Sequence, residues 1–120
     1  MVLEQGGYYV HESFAALAHD LVLANGRGMD LIHYTNEGTA IAARSGKVTT
    51  PVIGVSVNFN DQDGAEGLIH SRAVKILIDG GLPSENMAEL LVDGVTYGIY
   101  HQYTYKPGSR ELFSYLYGEV

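Results

Sequence analysis

From Met87 the chain reads Met-Ala-Glu-Leu-Leu-Val-Asp-Gly-Val-Thr-Tyr-Gly-Ile-Tyr-His-Gln-Tyr-Thr-Tyr-Lys-Pro-Gly-Ser-Arg-Glu-Leu-Phe-Ser-Tyr-Leu-Tyr, ending at Tyr117. This stretch decides the fold class. Asp93-Gly94 separates Leu90-Leu91-Val92 from Val95-Thr96-Tyr97, and a type I′ hairpin turn needs two residues that tolerate positive φ. Lys106-Pro107-Gly108-Ser109 is a second turn signal, followed by another apolar run. Strand, turn, strand, turn, strand is an antiparallel meander, and it carries six of the nine tyrosines.

Upstream of the meander the strand period continues. Leu68 to Ile78 is β-rich, with Val74, Ile76 and Ile78 on one side and Lys75 on the other; its irregular start predicts a bulge or a late strand onset. Val52 to Phe59 alternates cleanly, with Ile53, Val55, Val57 and Phe59 on one face. Met29 to Thr35 is a shorter strand candidate. Only one segment has a helical period, in which Phe14, Leu17, Ala18, Leu21 and Val22 recur at one-turn spacing before the Asn25-Gly26 terminator. The expected organisation is a single domain over residues 1–120: an arm at 1–11, a helix at 12–25 and a β-barrel at 28–120 with loops at 36–51 and 60–67. The fold class is mainly β with an N-terminal α-helix, a small antiparallel β-barrel or sandwich of about five or six strands.

Composition narrows the function. With 46% hydrophobic and 18% charged residues over 120 positions, the chain is expected to fold around one core. A net charge of -7, with seven Lys and Arg, argues against gripping nucleic acid through its phosphates. The absence of cysteine removes disulfides, thiolate metal sites and a Cys nucleophile. No basic-then-apolar leader and no run of about 18 apolar residues is read, so neither a signal nor a membrane anchor is expected.

Candidate chemistry is sparse. His11-Glu12 begins like a zinc helix, but Ala15 stands where the second His ligand belongs and His19 is out of register. His33, His70 and His101 fall on three separate strand candidates, which makes a shared metal site a minor expectation beside structural or solvent-facing roles. Asp61, Asp63 and Glu66 faintly resemble a calcium loop, yet an EF-hand needs ligands through its twelfth position and flanking helices, so a solvated acidic loop is expected. No serine sits in a nucleophile elbow and no phosphate loop is present. Tyr97, Tyr103 and Tyr105 share parity with Tyr100 opposite, and Tyr115 and Tyr117 share parity on the next strand. The two readings are cross-strand aromatic pairing and a subunit interface. Neither catalytic residues nor a cofactor is expected.

The order of these motifs carries a resemblance. A short helix, Gly26-Arg27-Gly28-Met29-Asp30-Leu31-Ile32, Val52-Ile53-Gly54-Val55, Val74-Lys75-Ile76-Leu77-Ile78-Asp79, Leu91-Val92-Asp93-Gly94-Val95-Thr96-Tyr97-Gly98-Ile99 and a terminal Pro107-Gly108 hairpin together resemble the head-tail joining (head-closure or tail-attachment) proteins of long-tailed bacteriophages. The resemblance spans about Phe14 to Tyr117 and implies a barrel that forms a homo-oligomeric ring, commonly of six or twelve copies, in the virion neck. It implies a portal or adaptor protein above, a tail terminator or tail tube below, and DNA passing through without specific binding or any membrane. On this reading Asp61, Asp63 and Glu66 line or gate the channel, where acidic groups repel the duplex, and Tyr97, Tyr103, Tyr105, Tyr115 and Tyr117 form subunit contacts. Other readings are a tail-terminator or tail-completion ring, a small His-dependent metal enzyme, and a monomeric ligand-binding barrel.

Overall fold

In a computed structural model the backbone is described for residues 2–36 and 45–120, and side chains from residue 14 onward outside 37–44. The elements are α1 (Val2–Asn25), β1 (Arg27–Asn36), β2 (Ser45–Val57), α2 (Asp61–Ala65), β3 (Ala73–Asp79), β4 (Glu89–Val92), β5 (Val95–Tyr105) and β6 (Phe113–Glu119). The six strands close into an antiparallel barrel in the order β1-β2-β3-β6-β5-β4. The expected class, mainly β with an N-terminal helix, is the fold, and closure decides between barrel and sandwich.

Met29 and Leu31 of β1, Ile76 and Ile78 of β3, Leu90 of β4 and Leu116 of β6 point inward and are joined by Met87. Two glycines let this small barrel close. A Cβ at Gly54 would stand 2.8 Å from Ile76 Cγ2 and 2.9 Å from Met29 Sδ, and one at Gly118 would stand 2.9 Å from Tyr97 Cβ. Both are sites where only a bare backbone leaves the interior side chains in place.

A second core lies outside the barrel wall. Ala18 and Val22 of α1 pack on Val55 of β2 and Leu77 of β3, with Val57, Phe113 and Tyr115 at the margin. The apolar face read from Val52 to Phe59 is therefore the outer face, where Val55 and Val57 lie against the helix, Ile53 is half exposed and Phe59 packs near Tyr117, while Gly54 faces the interior. Phe14 meets Tyr105 edge-on at 6.2 Å, and His19 Nδ1 lies 2.6 Å from Asp79 Oδ2. At the helix end the Gly26 amide donates to Val22 O at 2.8 Å, and a Cβ there would clash with that same oxygen.

Three boundary expectations change and a fourth holds. Helix α1 begins at Val2, so residues 2–11 are helical and not an extended arm; Gly6-Gly7 reads against helix locally, but propagation from a docked C-terminal half costs far less than nucleation. Within the 36–51 loop every described residue is strand, because β1 reaches Asn36 and β2 starts at Ser45, while residues 37–44 lie outside those described. The 60–67 loop holds α2. The run from Leu68 has the late strand onset that its irregular start suggests, becoming strand at Ala73 after Arg72 adopts a φ of 57°.

The Asp93-Gly94 hairpin forms as read, with φ of 52° and 78° at the two turn residues and Val92 opposite Val95. The parity of the tyrosines does not hold. A register shift between Ile99 and His101 inverts β5, so Tyr97 packs with the interior core while Tyr103 and Tyr105 lie outside, opposite Tyr115 and Phe113. One unpaired residue in a bulge flips every later side chain to the other face.

Candidate functional site

The connection between β2 and β3 crosses the outer wall as a strap and buries the most unusual chemistry of the molecule. Asn60 caps α2: its Oδ1 accepts from the Asp63 amide at 2.8 Å, while Asp63 Oδ2 accepts from the Asn60 amide at 2.9 Å. This reciprocal capping box holds the Asp63 carboxylate against the barrel. There Lys75 Nζ donates to Asp63 Oδ2 at 2.7 Å and Tyr117 Oη donates to Asp63 Oδ1 at 2.6 Å. The Lys75 and Asp63 side chains are 3% and 4% exposed.

Lys75 sits mid-strand on the outer face, where Leu77 two residues on lies under α1 and Lys75 itself lies under α2. Its ammonium is 4.3 Å from the centre of the Tyr115 ring and 5.4 Å from that of Tyr117, so aromatic faces supply part of what water would. Burial alone pushes the Asp63 carboxyl up, but the hydrogen bonds from Lys75, Tyr117 and the Asn60 amide, with the Lys75 charge, outweigh it and hold the group below its ordinary range. Burial pushes the Tyr117 phenol well above its ordinary value, and donation to Asp63 raises it further. The strap is also held by Tyr100 Oη donating to Leu68 O and by His70 Nδ1 at 2.9 Å from Glu119 Oε2, with the His70 and Tyr100 rings stacked 3.9 Å apart.

The expected site residues are thus dispersed. Asp61 and Glu66 face solvent, whereas Asp63 turns inward and is fully engaged, so a solvated acidic loop describes the first two and not the third. Tyr115 and Tyr117 form the wall around Lys75, Tyr105 packs between Phe14 and Phe113, Tyr97 is interior, and Tyr103 stands 48% exposed. His70 and His101 both border the tyrosine cluster, His101 lying 5.1 Å from Tyr117 between ring centres. His33 is elsewhere, on β1 opposite Val48. Among the described residues no three His, Asp or Glu side chains gather as a metal site.

Lys75 was the residue whose role sequence reading missed. A lysine inside Ala-Val-Lys-Ile-Leu-Ile, with Asn-x-x-Asp upstream, was the available signal: a cation flanked by core residues requires a buried partner, and a capped Asp can be one.

No protein-family model and no curated protein matches the chain. The class that fold and site define is a closed, six-stranded antiparallel barrel with a helix on one outer face and an ion-paired strap on the same side.

Proposed function

We propose that this chain is a non-enzymatic structural protein of a phage neck, a ring subunit that closes the DNA-filled head and connects it to the tail. The supporting observation is α1. It buries Ala18 and Val22 against the barrel yet leaves Leu17 65% and Leu23 71% exposed, with Phe14 and Leu21 partly so. A helix apolar on more than its docked side is suited to further burial between subunits. Portal or adaptor above and tail below are the proposed neighbours. The -7 net charge fits a lumen through which a duplex must move without being held.

Within this reading the sites are redistributed. Asp61 and Glu66 are the acidic groups free to face a channel, Tyr103 is the tyrosine free to meet a neighbour, and Tyr115 and Tyr117 hold the wall. The test is to image particles made without this protein. Filled heads that leak DNA beside unattached tails are expected, and normally joined virions would end the proposal. Complementation with Leu17→Asp, which alters an exposed position, is expected to fail while the purified variant keeps its fold.

A further inference from the structure

The two ends of the barrel are finished differently. At one end the chain after β3 folds back over the interior, and Leu82 and Met87 pack into the core. Side chains tie that segment down: Ser114 Oγ donates to Gly80 O at 2.8 Å, and Gln102 donates to Ser84 O at 3.1 Å while accepting from the Met87 amide at 2.8 Å. The other end is a cup. Its inward positions carry short side chains, Ser56 on β2, Val74 on β3 and Val92 on β4, and on β6 the residue is Gly118, where a Cβ would stand 2.9 Å from Tyr97 Cβ.

These short residues leave a cavity of about 420 Å³. The buried Met29 and Ile76 form its floor, and Val74, Val92, Val95 and Tyr97 form its walls. Three polar groups border it, those of Arg27, Ser56 and Asp93. Strands β1 and β4 pair only at Asp30 with Leu91, Leu31 with Leu90 and Ile32 with Glu89, so Arg27 and Asp93 lie beyond the ladder and their ion pair joins neighbouring strands along the rim. Elsewhere on the rim Ser56 and Val95 are open to solvent.

We propose that the cup is a binding site for a small neutral amphiphile, an apolar chain carrying an alcohol or primary amide head. The mouths of barrels are frequent sites for small ligands, and the cavity falls within their usual range of about 300–1,000 Å³. The apolar floor and walls receive the chain, each buried CH₂ strengthening binding about fourfold. The rim receives the head: the Arg27 guanidinium donates, the Asp93 carboxylate accepts and the Ser56 hydroxyl does either. Because guanidinium and carboxylate cancel, a charged head is attracted by one and repelled by the other while losing hydration, whereas a group that both donates and accepts pairs with each. The net charge of -7 further disfavours an anion. The opposite end shows the alternative, since there the chain fills the barrel with its own Leu82 and Met87. The inference is independent of the phage-neck reading, because the cup belongs to a single subunit.

The test titrates the full chain with straight-chain 1-alcohols from butanol to decanol and follows the methyl resonances of Met29, Val74 and Ile76. Saturable shifts are expected, with affinity rising about fourfold per CH₂ and levelling off once the cup is full. Octanoate and octylammonium are expected to bind at least tenfold more weakly than octanol. Ser56→Trp and Val95→Trp each fill the cup from an exposed position and are expected to weaken octanol binding at least tenfold with the far-ultraviolet dichroism unchanged. Arg27→Gln leaves Asp93 without its cation and is expected to raise octylammonium affinity relative to octanol at least fivefold. Absence of saturable shifts in those methyls, charged heads binding as tightly as octanol, an octylammonium-to-octanol ratio unmoved by Arg27→Gln, or undiminished binding in folded tryptophan variants would overturn the proposal.

Discussion

Asp63 and Lys75 illustrate how one pair of charges ties a connection to a barrel. Neither ion can be stable in that position without the other, because the desolvation cost of a buried charge is recovered only by a close, well-directed partner. Asp63→Asn or Lys75→Met is expected to cost about 3–5 kcal/mol, the range for removing one member of a buried pair. The double variant is expected to recover part of that loss, as checked by urea denaturation. The same carboxyl makes an acid prediction. Its folded-state value lies below its unfolded one, so its contribution is fully present above the ordinary carboxylate value of about 4 and disappears as pH falls through the folded value. Denaturation midpoints measured down the acid limb should fall more steeply for the natural chain than for Asp63→Asn.

At the scale of elements, the described side chains of α1 hold it through an apolar patch, the Phe14–Tyr105 ring contact and the His19–Asp79 contact. Leu77 is 4% exposed beneath the helix, and Leu77→Ala is expected to cost about 2–5 kcal/mol and to raise amide exchange in residues 14–22 first. The hydrogen bond to Asp79, then its charge and that of Asp20, raise the His19 value against the opposing effect of burial. A raised value means the contact is fully present below the ordinary His value of about 6.5 and is lost as pH rises through the folded one. Protease susceptibility of α1 should therefore increase on moving from mildly acidic to alkaline buffer, and His19→Gln should flatten that profile. The hairpin was the most legible element, since only residues tolerant of positive φ fit its turn. The β5 bulge was the least legible: nothing local in Gly98-Ile99-Tyr100-His101 distinguishes an inserted residue from a continuing strand. The face assigned to Tyr97, Tyr103 and Tyr105 was consequently wrong by one register step.

Across the whole molecule, closure depends on what is missing from two strands. Gly54→Ala is expected to destabilise by about 1–3 kcal/mol, because its methyl enters the space of Ile76 and Met29. Thermal denaturation checks this, and loss of near-ultraviolet dichroism before far-ultraviolet signal would locate the damage in the core. Composition, strand period, the Asp93-Gly94 turn and the helical stripe from Phe14 to Val22 determined by themselves a mainly β chain with an N-terminal helix, since each is a local preference written over a few neighbouring residues. Tertiary structure alone decided which apolar face lies inside the barrel and which lies under α1. It also decided that the acidic loop surrenders Asp63 to Lys75, and where the β1–β4 ladder runs out. Those outcomes depend on pairings between residues far apart in sequence, and periodicity carries no record of which distant partner a strand or a charge will meet.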